Sequence, residues 1–439
     1  MSAACVLSEH EIVLDKMTSE RNHILDRWAD PKALGLTSEE KALFAYQKAN
    51  LKFLFGETGF NPPVPPRNPI SVSTHNPRFG AALWAVNTEA YRRKGALSRS
   101  QKDLLALGLS LANQCPHCAF IHTAMGPAAG DDVDMTVMQS FYDTQDPDTA
   151  FPLVAGQNSM NHEFAAWAIT HRDGEAKPLP CTPDQVPEFL GTVMLFSMLN
   201  RIVDAFVSKQ DIGPMFPLPV RLMMRFESMT PMVQRMMAWM MSWMMHGEDK
   251  KITAGKCLAD INRVTPIVKG FEGAADELPL PLPEAMSWAA TGSNEAIGTT
   301  FAFLAAEAEI LAECFVSPAL KTHMESWVSM WDGEKIVPTK KWLESQVGGF
   351  YADDSDVNDK ADVTMLRLML VTVVASPVIN DTLLSECQAM LGFRGTHAAV
   401  LWSSFLAAQR MCQRAFAAGL APVVLAPVVL APVPPPDSD

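Results

Sequence analysis

The sequence predicts an all-α protein made of two tandem helical repeats, the second of which is degenerate and lacks the reactive residues of the first. Long apolar segments rich in Ala, Leu and Met recur along the chain with helical spacing, as buried helices do. Alternating β-branched residues are scarce, and the best run of them, VTVV at 371–374, continues a helical pattern. The outline of the helices in the first half also returns near the C-terminus.

The composition limits the classes of function. Of the 439 residues, 48% are hydrophobic and 19% are charged, which excludes disorder for most of the chain. A net charge of −14 argues against a nucleic-acid surface or a patch for anionic membranes. Acidic residues near the N-terminus also argue against a secretory signal or a mitochondrial transit peptide. We therefore expect a cytoplasmic protein that acts on small, mostly uncharged molecules.

The chain has eight cysteines, too few for a disulfide scaffold at this length. Two of them form the motif described below. The other six stand alone, and we interpret each as a small buried hydrophobic residue. They are Cys5, Cys181, Cys257, Cys314, Cys387 and Cys412.

Proline-rich breaks divide the chain into five segments. These are an N-terminal helical segment (1–74), a catalytic helical repeat (75–208), a methionine-rich helical connector (209–269), a degenerate repeat (270–418) and a proline-rich, disordered tail (419–439). Ten methionines between Met223 and Met245 indicate a deformable helix in a core or at a subunit contact. A copper-binding methionine cluster is the alternative. Arg235 interrupts this run, which is already short of the ~20 apolar residues of a membrane span.

The clearest helix of the first repeat has predictable ends. In SRSQKDLLALGLSLAN, Ser98 is a predicted N-cap, and Gln101 three residues later completes a capping box. Asn113 and Gln114 end this helix. Further helices are predicted over 188–206, over 295–315 and over 398–417.

The segment CPHCAFIHTAMG (115–126) follows immediately and concentrates reactive side chains. Pro116 suits the first turn of a new helix, which puts Cys115 at its N-cap and Cys118 about one turn inside. The positive field of a helix start favours thiolate over thiol. His122 is four residues after Cys118 and therefore on the same face. The pattern supplies a nucleophile, a resolving thiol and a base.

Three other interpretations of this motif remain open at the level of the residues. A structural zinc site would need a second ligand pair, and the chain has no other CxxC and no HxxxH. Chance burial of the cysteines is the second. A thioredoxin-like oxidoreductase is the third, although its CxxC follows a β-strand and this one follows a helix.

The spacing D-x(11)-C-x-x-C-x-x-x-H, after an apolar helix, resembles the alkylhydroperoxidase D / carboxymuconolactone decarboxylase superfamily over residues 75–208. This all-helical family shows E-x(11)-C-x-x-C-x-x-x-H. The resemblance implies that Cys118 attacks the peroxide and Cys115 resolves, that His122 and Asp103 relay protons, and that His117 matches a histidine between the cysteines in some members. Asp103 stands where the family usually has Glu, so its reach is about 1.5 Å shorter.

The same resemblance implies a hydroperoxide substrate and an external dithiol reductant, of the lipoyl type in some members. It implies no cofactor besides the redox-active disulfide and no metal. The branch of decarboxylases and isomerases typically lacks paired cysteines, so CPHC counts against it. The leading alternative from another functional class is a non-catalytic helical scaffold whose CxxC senses redox state.

The second repeat has the outline of the first without its chemistry. ADVTMLRLMLVTVVASPVINDTLLSECQAMLG parallels the helix–break–helix of the CPHC region. Pro377 and Asn380 fall near the cysteine positions, and Cys387 and Cys412 are interpreted as packing residues. Family members assemble from such units, so this copy is predicted to replace a partner within one chain, and a homo-oligomer remains possible.

Overall fold

A computed structural model describes residues 35–54, 72–115, 117–119, 122, 162–170, 177–207, 252–264, 281–291, 294–353 and 360–420. The predictions for the methionine-rich run at 223–245 and for the tail beyond residue 420 lie outside the described residues. Within these ranges the backbone is mostly helical, with no strand, so the predicted all-α class is confirmed. The β-contact that remains is an isolated bridge between Leu179 and Leu420.

Eleven α-helices are named here in chain order across the described part. They are α1 (Ser38–Leu54), α2 (Pro77–Val86), α3 (Arg99–Ala112), α4 (His162–Thr170), α5 (Val186–Phe206), α6 (Lys256–Val264), α7 (Glu295–Phe315), α8 (Pro318–Met330), α9 (Lys340–Asp353), α10 (Lys360–Ala375) and α11 (Asp381–Ala417). A π-helical turn, Asn87–Arg92, extends α2. A 3₁₀ helix at Pro183–Gln185 precedes α5, another at Glu284–Ala290 precedes α7, and a third at Ser376–Val378 follows α10.

Helix α3 begins and ends as its sequence predicts. Ser98 accepts a hydrogen bond from the Gln101 backbone amide, and the Gln101 side chain accepts one from the Ser98 amide, which completes the capping box. Asn113 is the C-cap, and Gln114 has a positive φ of 56°. This left-handed residue reverses the chain direction, so that Cys115 can donate its backbone amide to Ser110 O at 2.9 Å.

The two halves of the chain share one hydrophobic core. Helix α5 lies at its centre, where it is buried along its length and packs against α3 and α11. Helix α2 packs against α7, and α10 packs against α11. Among the described residues, two stretches, Pro183–Phe206 and Lys360–Val378, are long and apolar enough to cross a bilayer. Their most apolar 18-residue windows are 100% and 67% buried inside the protein, as core helices are. The tandem-repeat relation between the halves stays a prediction.

Most of the isolated cysteines in the described part of the chain are packing residues, as interpreted, and Cys5 lies outside that part. Cys257, Cys387 and Cys412 are buried, and Cys181 is half-buried. The interpretation is wrong for Cys314, which is exposed. It lies in the last turn of α7 on the side away from the core, next to the exposed Glu313.

Candidate functional site

The CPHC turn starts a new helix directly after α3. Cys115 O accepts the first helical hydrogen bond, from Ala119 N at 3.0 Å, which puts Cys115 at the N-cap as predicted. Residues 117–119 and 122 are helical. Cys115, His117, Cys118 and His122 are all buried, so the reactive side chains lie inside the protein rather than on its surface.

The side chains of the two cysteines interact with each other directly and are not joined by a disulfide. Burial raises the pKa of the Cys115 thiol well above its usual value, and the neighbouring Cys118 and the carboxylate of Asp204 raise it further. The expectation that the helix start favours a thiolate is therefore wrong for Cys115, because desolvation outweighs the helix field. A protonated thiol at this position suits a resolving cysteine better than an attacking one.

Asp103, His122 and Tyr91 form a compact polar group. His122 Nδ1 lies 3.5 Å from Asp103 Oδ1 and 3.3 Å from the Tyr91 hydroxyl. The Tyr91 hydroxyl donates to Asp103 Oδ1. Arg99 donates from Nε to Asp103 Oδ2 at 2.9 Å and from its terminal nitrogen to the Tyr91 oxygen at 3.0 Å. The structure thus brings Asp103 and His122 together, as the resemblance of the motif implies.

The ionisation of this group follows from its partners. Burial by itself would raise the pKa of Asp103, but Arg99, His122 and Tyr91 more than compensate, and the pKa lies below its usual value. Burial lowers the pKa of His122, although Asp103 opposes that shift. The group therefore holds a charged carboxylate next to a neutral imidazole, which is the state a proton acceptor requires.

Apolar residues enclose this polar group. The ring of Phe196 on α5 packs edge-on against His122, with 4.4 Å between centroids, and against Tyr91, with 4.8 Å. Because Tyr91, Asp103 and His122 are all buried, the interactions between their polar atoms are stronger than in water.

A buried ion pair fixes the start of α3 and hence Asp103. Glu188 accepts hydrogen bonds from the backbone amides of Ala96 and Leu97, at 2.8 and 3.1 Å, and pairs with Lys102 Nζ at 2.7 Å. A Cβ at Gly95 would come within 1.8 Å of the Glu188 carboxylate, so a side chain at this position would displace the carboxylate from its partners. Lys102 Nζ also donates to Arg93 O at 2.9 Å, which connects α3 to the loop that precedes it.

The second half of the chain reaches the edge of the site. Ser376 Oγ donates to Asp204 Oδ2 at 2.7 Å, and Asp204 is the carboxylate that acts on Cys115. Lys335 Nζ donates to Ala112 O at the end of α3. In the described part of the chain, no group of three or more His, Cys, Asp or Glu residues is arranged to hold a metal ion.

Four residues of this site were not found from the sequence: Tyr91, Arg99, Phe196 and Asp204. The contact of Arg99 with Asp103 could have been predicted, since the two residues are four apart on a predicted helix. No sequence pattern pointed to Tyr91, which lies in the π-helical turn after α2. His117 is buried within the same helical turn as Cys118, and its role stays a prediction.

Comparison with known proteins supports the resemblance. Residues 77–135 match the sequence model of the carboxymuconolactone decarboxylase family. The chain is also similar to a protein of Mycobacterium tuberculosis (strain H37Rv) named alkyl hydroperoxide reductase, with 23% identity over 348 residues, which span 78% of this chain and 84% of that protein. No solved structure matches the chain. The resemblance inferred from the CPHC motif is thereby confirmed.

Proposed function

We propose that this protein is a thiol-dependent peroxidase of the alkylhydroperoxidase type, with Cys118 as the attacking cysteine and Cys115 as the resolving cysteine. The observation that carries the proposal is the buried Asp103–His122 pair, with 3.5 Å between Oδ1 and Nδ1, where His122 comes four residues after a cysteine that interacts with Cys115. The similarity to a protein named alkyl hydroperoxide reductase supports the same class of reaction.

The reaction proceeds in three steps. His122 takes the Cys118 thiol proton, and the thiolate attacks the hydroperoxide ROOH. An S–O bond forms, the O–O bond breaks, and the proton on His122 leaves with ROH. Cys115 then attacks the sulfenic acid of Cys118, which forms the disulfide and releases water. An external dithiol, of the lipoyl type by analogy with the family, reduces the disulfide by thiol–disulfide exchange and becomes a disulfide itself.

This chemistry needs no cofactor beyond the cysteine pair and a reducing compartment, so the cytoplasm is the proposed location. The raised pKa of Cys115 supports its role as the resolving thiol, because it stays protonated while Cys118 reacts. A homo-oligomer belongs to the same proposal, by analogy with the family.

Stopped-flow consumption of an alkyl hydroperoxide, with a dithiol present, tests the function. We expect the wild type to turn over and Cys118→Ser to be inactive, because no thiolate remains to attack. Cys314→Ser is the matched control, since it removes an exposed thiol outside the site. Undiminished turnover by Cys118→Ser would exclude the proposal.

The roles within the pair are tested by trapping sulfenic acid after peroxide treatment. In Cys115→Ser the intermediate cannot be resolved, so we expect the adduct on Cys118. An adduct that forms only on Cys115, in the Cys118→Ser protein, would assign the attacking role to the N-cap cysteine and favour the thioredoxin-like alternative.

The second candidate is a redox-sensing helical scaffold without turnover. The complete burial of Cys115 favours it, because a large hydroperoxide must reach a closed site. A sensor would form the Cys115–Cys118 disulfide once and return to the dithiol slowly. Multiple turnovers per protein molecule in the stopped-flow assay would exclude it.

A further inference from the structure

The hydroxyl of Tyr91 lies between the carboxylate and the imidazole of the site. It touches Asp103 Oδ1, His122 Nδ1 at 3.3 Å and the Arg99 guanidinium at 3.0 Å. The guanidinium also stacks over the tyrosine ring, 4.3 Å from its centroid. Tyr91 is buried, so these protein groups rather than bulk water determine the orientation of its hydroxyl.

Counting donors and acceptors assigns the protons in this group. A phenol has one proton to donate and two lone pairs that accept. The proton goes to Asp103 Oδ1, and the lone pairs remain for Arg99 and for His122 Nδ1. The two oxygens near His122 Nδ1, Asp103 Oδ1 and the Tyr91 hydroxyl oxygen, can therefore only accept a hydrogen bond from it. A neutral His122 must then carry its hydrogen on Nδ1. The Nε2 lone pair is then available to accept a proton.

The distances show why a bridging hydroxyl matters here. Asp103 Oδ1 is 3.5 Å from His122 Nδ1, which is the outer limit for an N–H···O hydrogen bond. The Tyr91 oxygen is closer, at 3.3 Å, and is itself bonded to the carboxylate. A glutamate at position 103 would extend about 1.5 Å further. The tyrosine therefore spans a gap that the short side chain of aspartate leaves.

We propose that Tyr91 is a positioning residue that links Asp103 to His122 and holds the imidazole in the Nδ1–H form, so that Nε2 can accept the thiol proton of Cys118. The inference deepens the proposed peroxidase function and rests on it for its biological meaning. Arg99 completes the arrangement, because it occupies the remaining lone pair of the phenol and keeps the O–H directed at Asp103.

The tautomer is measurable on the full-length wild-type protein. Nitrogen-15 NMR of histidine-labelled protein, with the His122 signals assigned by comparison with His122→Gln, distinguishes Nδ1–H from Nε2–H. We expect the Nδ1–H form at neutral pH. A predominant Nε2–H form would overturn the proposal, and this measurement depends neither on peroxide turnover nor on a Tyr91 variant.

Tyr91→Phe removes the bridge while it keeps the ring. We expect the rate at which iodoacetamide alkylates Cys118, followed on its peptide by mass spectrometry, to fall about tenfold at neutral pH, with the alkylation profile shifted to higher pH. Tyr46→Phe is the matched control, since it removes a tyrosine hydroxyl on α1 that contacts Cys257 and lies outside the site. An unchanged alkylation profile in Tyr91→Phe would contradict the proposal.

A second substitution separates positioning from simple structural damage. In Tyr91→Phe/Asp103→Glu, the missing hydroxyl leaves space for the longer carboxylate, which then reaches His122 directly. We expect most of the lost alkylation rate and the Nδ1–H signal to return. Failure of the glutamate to restore either, in a protein that still unfolds cooperatively, would mean that Tyr91 only fills space. Wild-type protein that shows the tautomer and the alkylation profile but consumes no peroxide would refute the peroxidase function alone.

Discussion

Asp103 is buried, and each of its carboxylate oxygens has a donor of its own. Tyr91 donates to Oδ1, and Arg99 donates to Oδ2 at 2.9 Å. Arg99 is the strongest of the groups that lower the pKa of Asp103 against the effect of burial. A group with a lowered folded-state pKa stabilises the fold above its unfolded pKa, and that contribution is lost as the pH falls through the folded value.

Arg99→Gln tests this assignment. Without the guanidinium the pKa of Asp103 rises, so its stabilising charge is weakened already at neutral pH. We expect Arg99→Gln to be less stable than wild type at pH 7 and to lose less stability than wild type as the pH falls below about 4. Urea unfolding across this range measures both effects.

Arg263→Gln provides the comparison for that experiment. Arg263 pairs with Asp260 at 3.0 Å, but its side chain is 76% exposed, and exposed pairs contribute little. Its stability curve should follow that of wild type. Parallel curves for Arg99→Gln and wild type would contradict the assignment.

His397 is a second buried histidine, on α11 and away from the cysteines. Asn76 Nδ2 is 2.9 Å from its Nδ1, and the rings of His75, Phe206 and Phe393 surround it. Burial lowers the pKa of His397 well below its usual value, and the facing His75 and Arg394 lower it further. The folded protein therefore holds this imidazole neutral in a pH range where the unfolded chain protonates it.

His397→Phe should flatten the pH dependence of stability. Below about pH 6.5 the unfolded chain of the wild type binds a proton at this histidine that the folded protein does not bind. The free energy of unfolding of the wild type therefore falls by up to about 1.4 kcal/mol per pH unit because of this residue. The variant lacks that group, and its free energy of unfolding should fall less between pH 6.5 and 5. Denaturant titrations at several pH values measure the slopes, and equal slopes would show that His397 is not the responsible group.

At the scale of elements, α3 and α4 approach each other closely at Gly108. A Cβ at Gly108 on α3 would lie 2.6 Å from Ala165 O and 2.8 Å from Ala165 Cα, both backbone atoms of α4. Backbone atoms cannot rotate out of the way, so a side chain at 108 would force the two helices apart. Because α3 also bears Asp103 and precedes the CPHC turn, its position relative to α4 affects the site.

Gly108→Ala should therefore destabilise the protein by about 1–3 kcal/mol, despite the better helix propensity of alanine. The matched control is Gly348→Ala on α9, where a Cβ meets nothing within 4 Å and the residue is exposed. That change should stabilise the protein by roughly 0.5–1 kcal/mol. Chemical denaturation measures the free energy of unfolding of both variants. A change of the same sign in both, relative to wild type, would refute the packing argument.

At the scale of the whole molecule, Arg201 joins the two halves of the chain. It lies in the last two turns of α5. Its guanidinium donates to Thr372 O at 3.2 Å and Val373 O at 3.0 Å, which are among the last carbonyls of α10. Such carbonyls have no partner inside their own helix, so the arginine caps α10 from the other half of the chain.

Arg201→Met keeps a long, flexible side chain but removes every donor. Burial lowers the pKa of Arg201 to about 10, so it is still charged at neutral pH. We expect a loss on the order of 3 kcal/mol, because the carbonyls of α10 are left buried without a partner. Thermal and urea unfolding measure the loss, and Arg410→Met, which removes a less buried arginine whose Nε donates to Trp331 O, is the control. Equal losses in the two variants would contradict the capping role.

The sequence by itself determined the features that depend on neighbouring residues. Capping of α3 by Ser98 and Gln101, its end at Asn113 and Gln114, and the N-cap position of Cys115 all involve residues three to five apart. The all-α class follows from the same short-range periodicity. The approach of Asp103 to His122 was also predictable, although from the resemblance of the motif to a known family rather than from helical spacing.

Only the tertiary structure decided what surrounds those residues. Tyr91 is 12 residues before Asp103, and Ser376 is 172 residues after Asp204, so no local pattern connects either pair. Burial likewise reversed the expectation for Cys115, because the field of one helix turn is a local property, whereas desolvation depends on everything that packs around the thiol. Spacing along the chain therefore predicted which side chains form the candidate site, and long-range packing decided their protonation and their contacts.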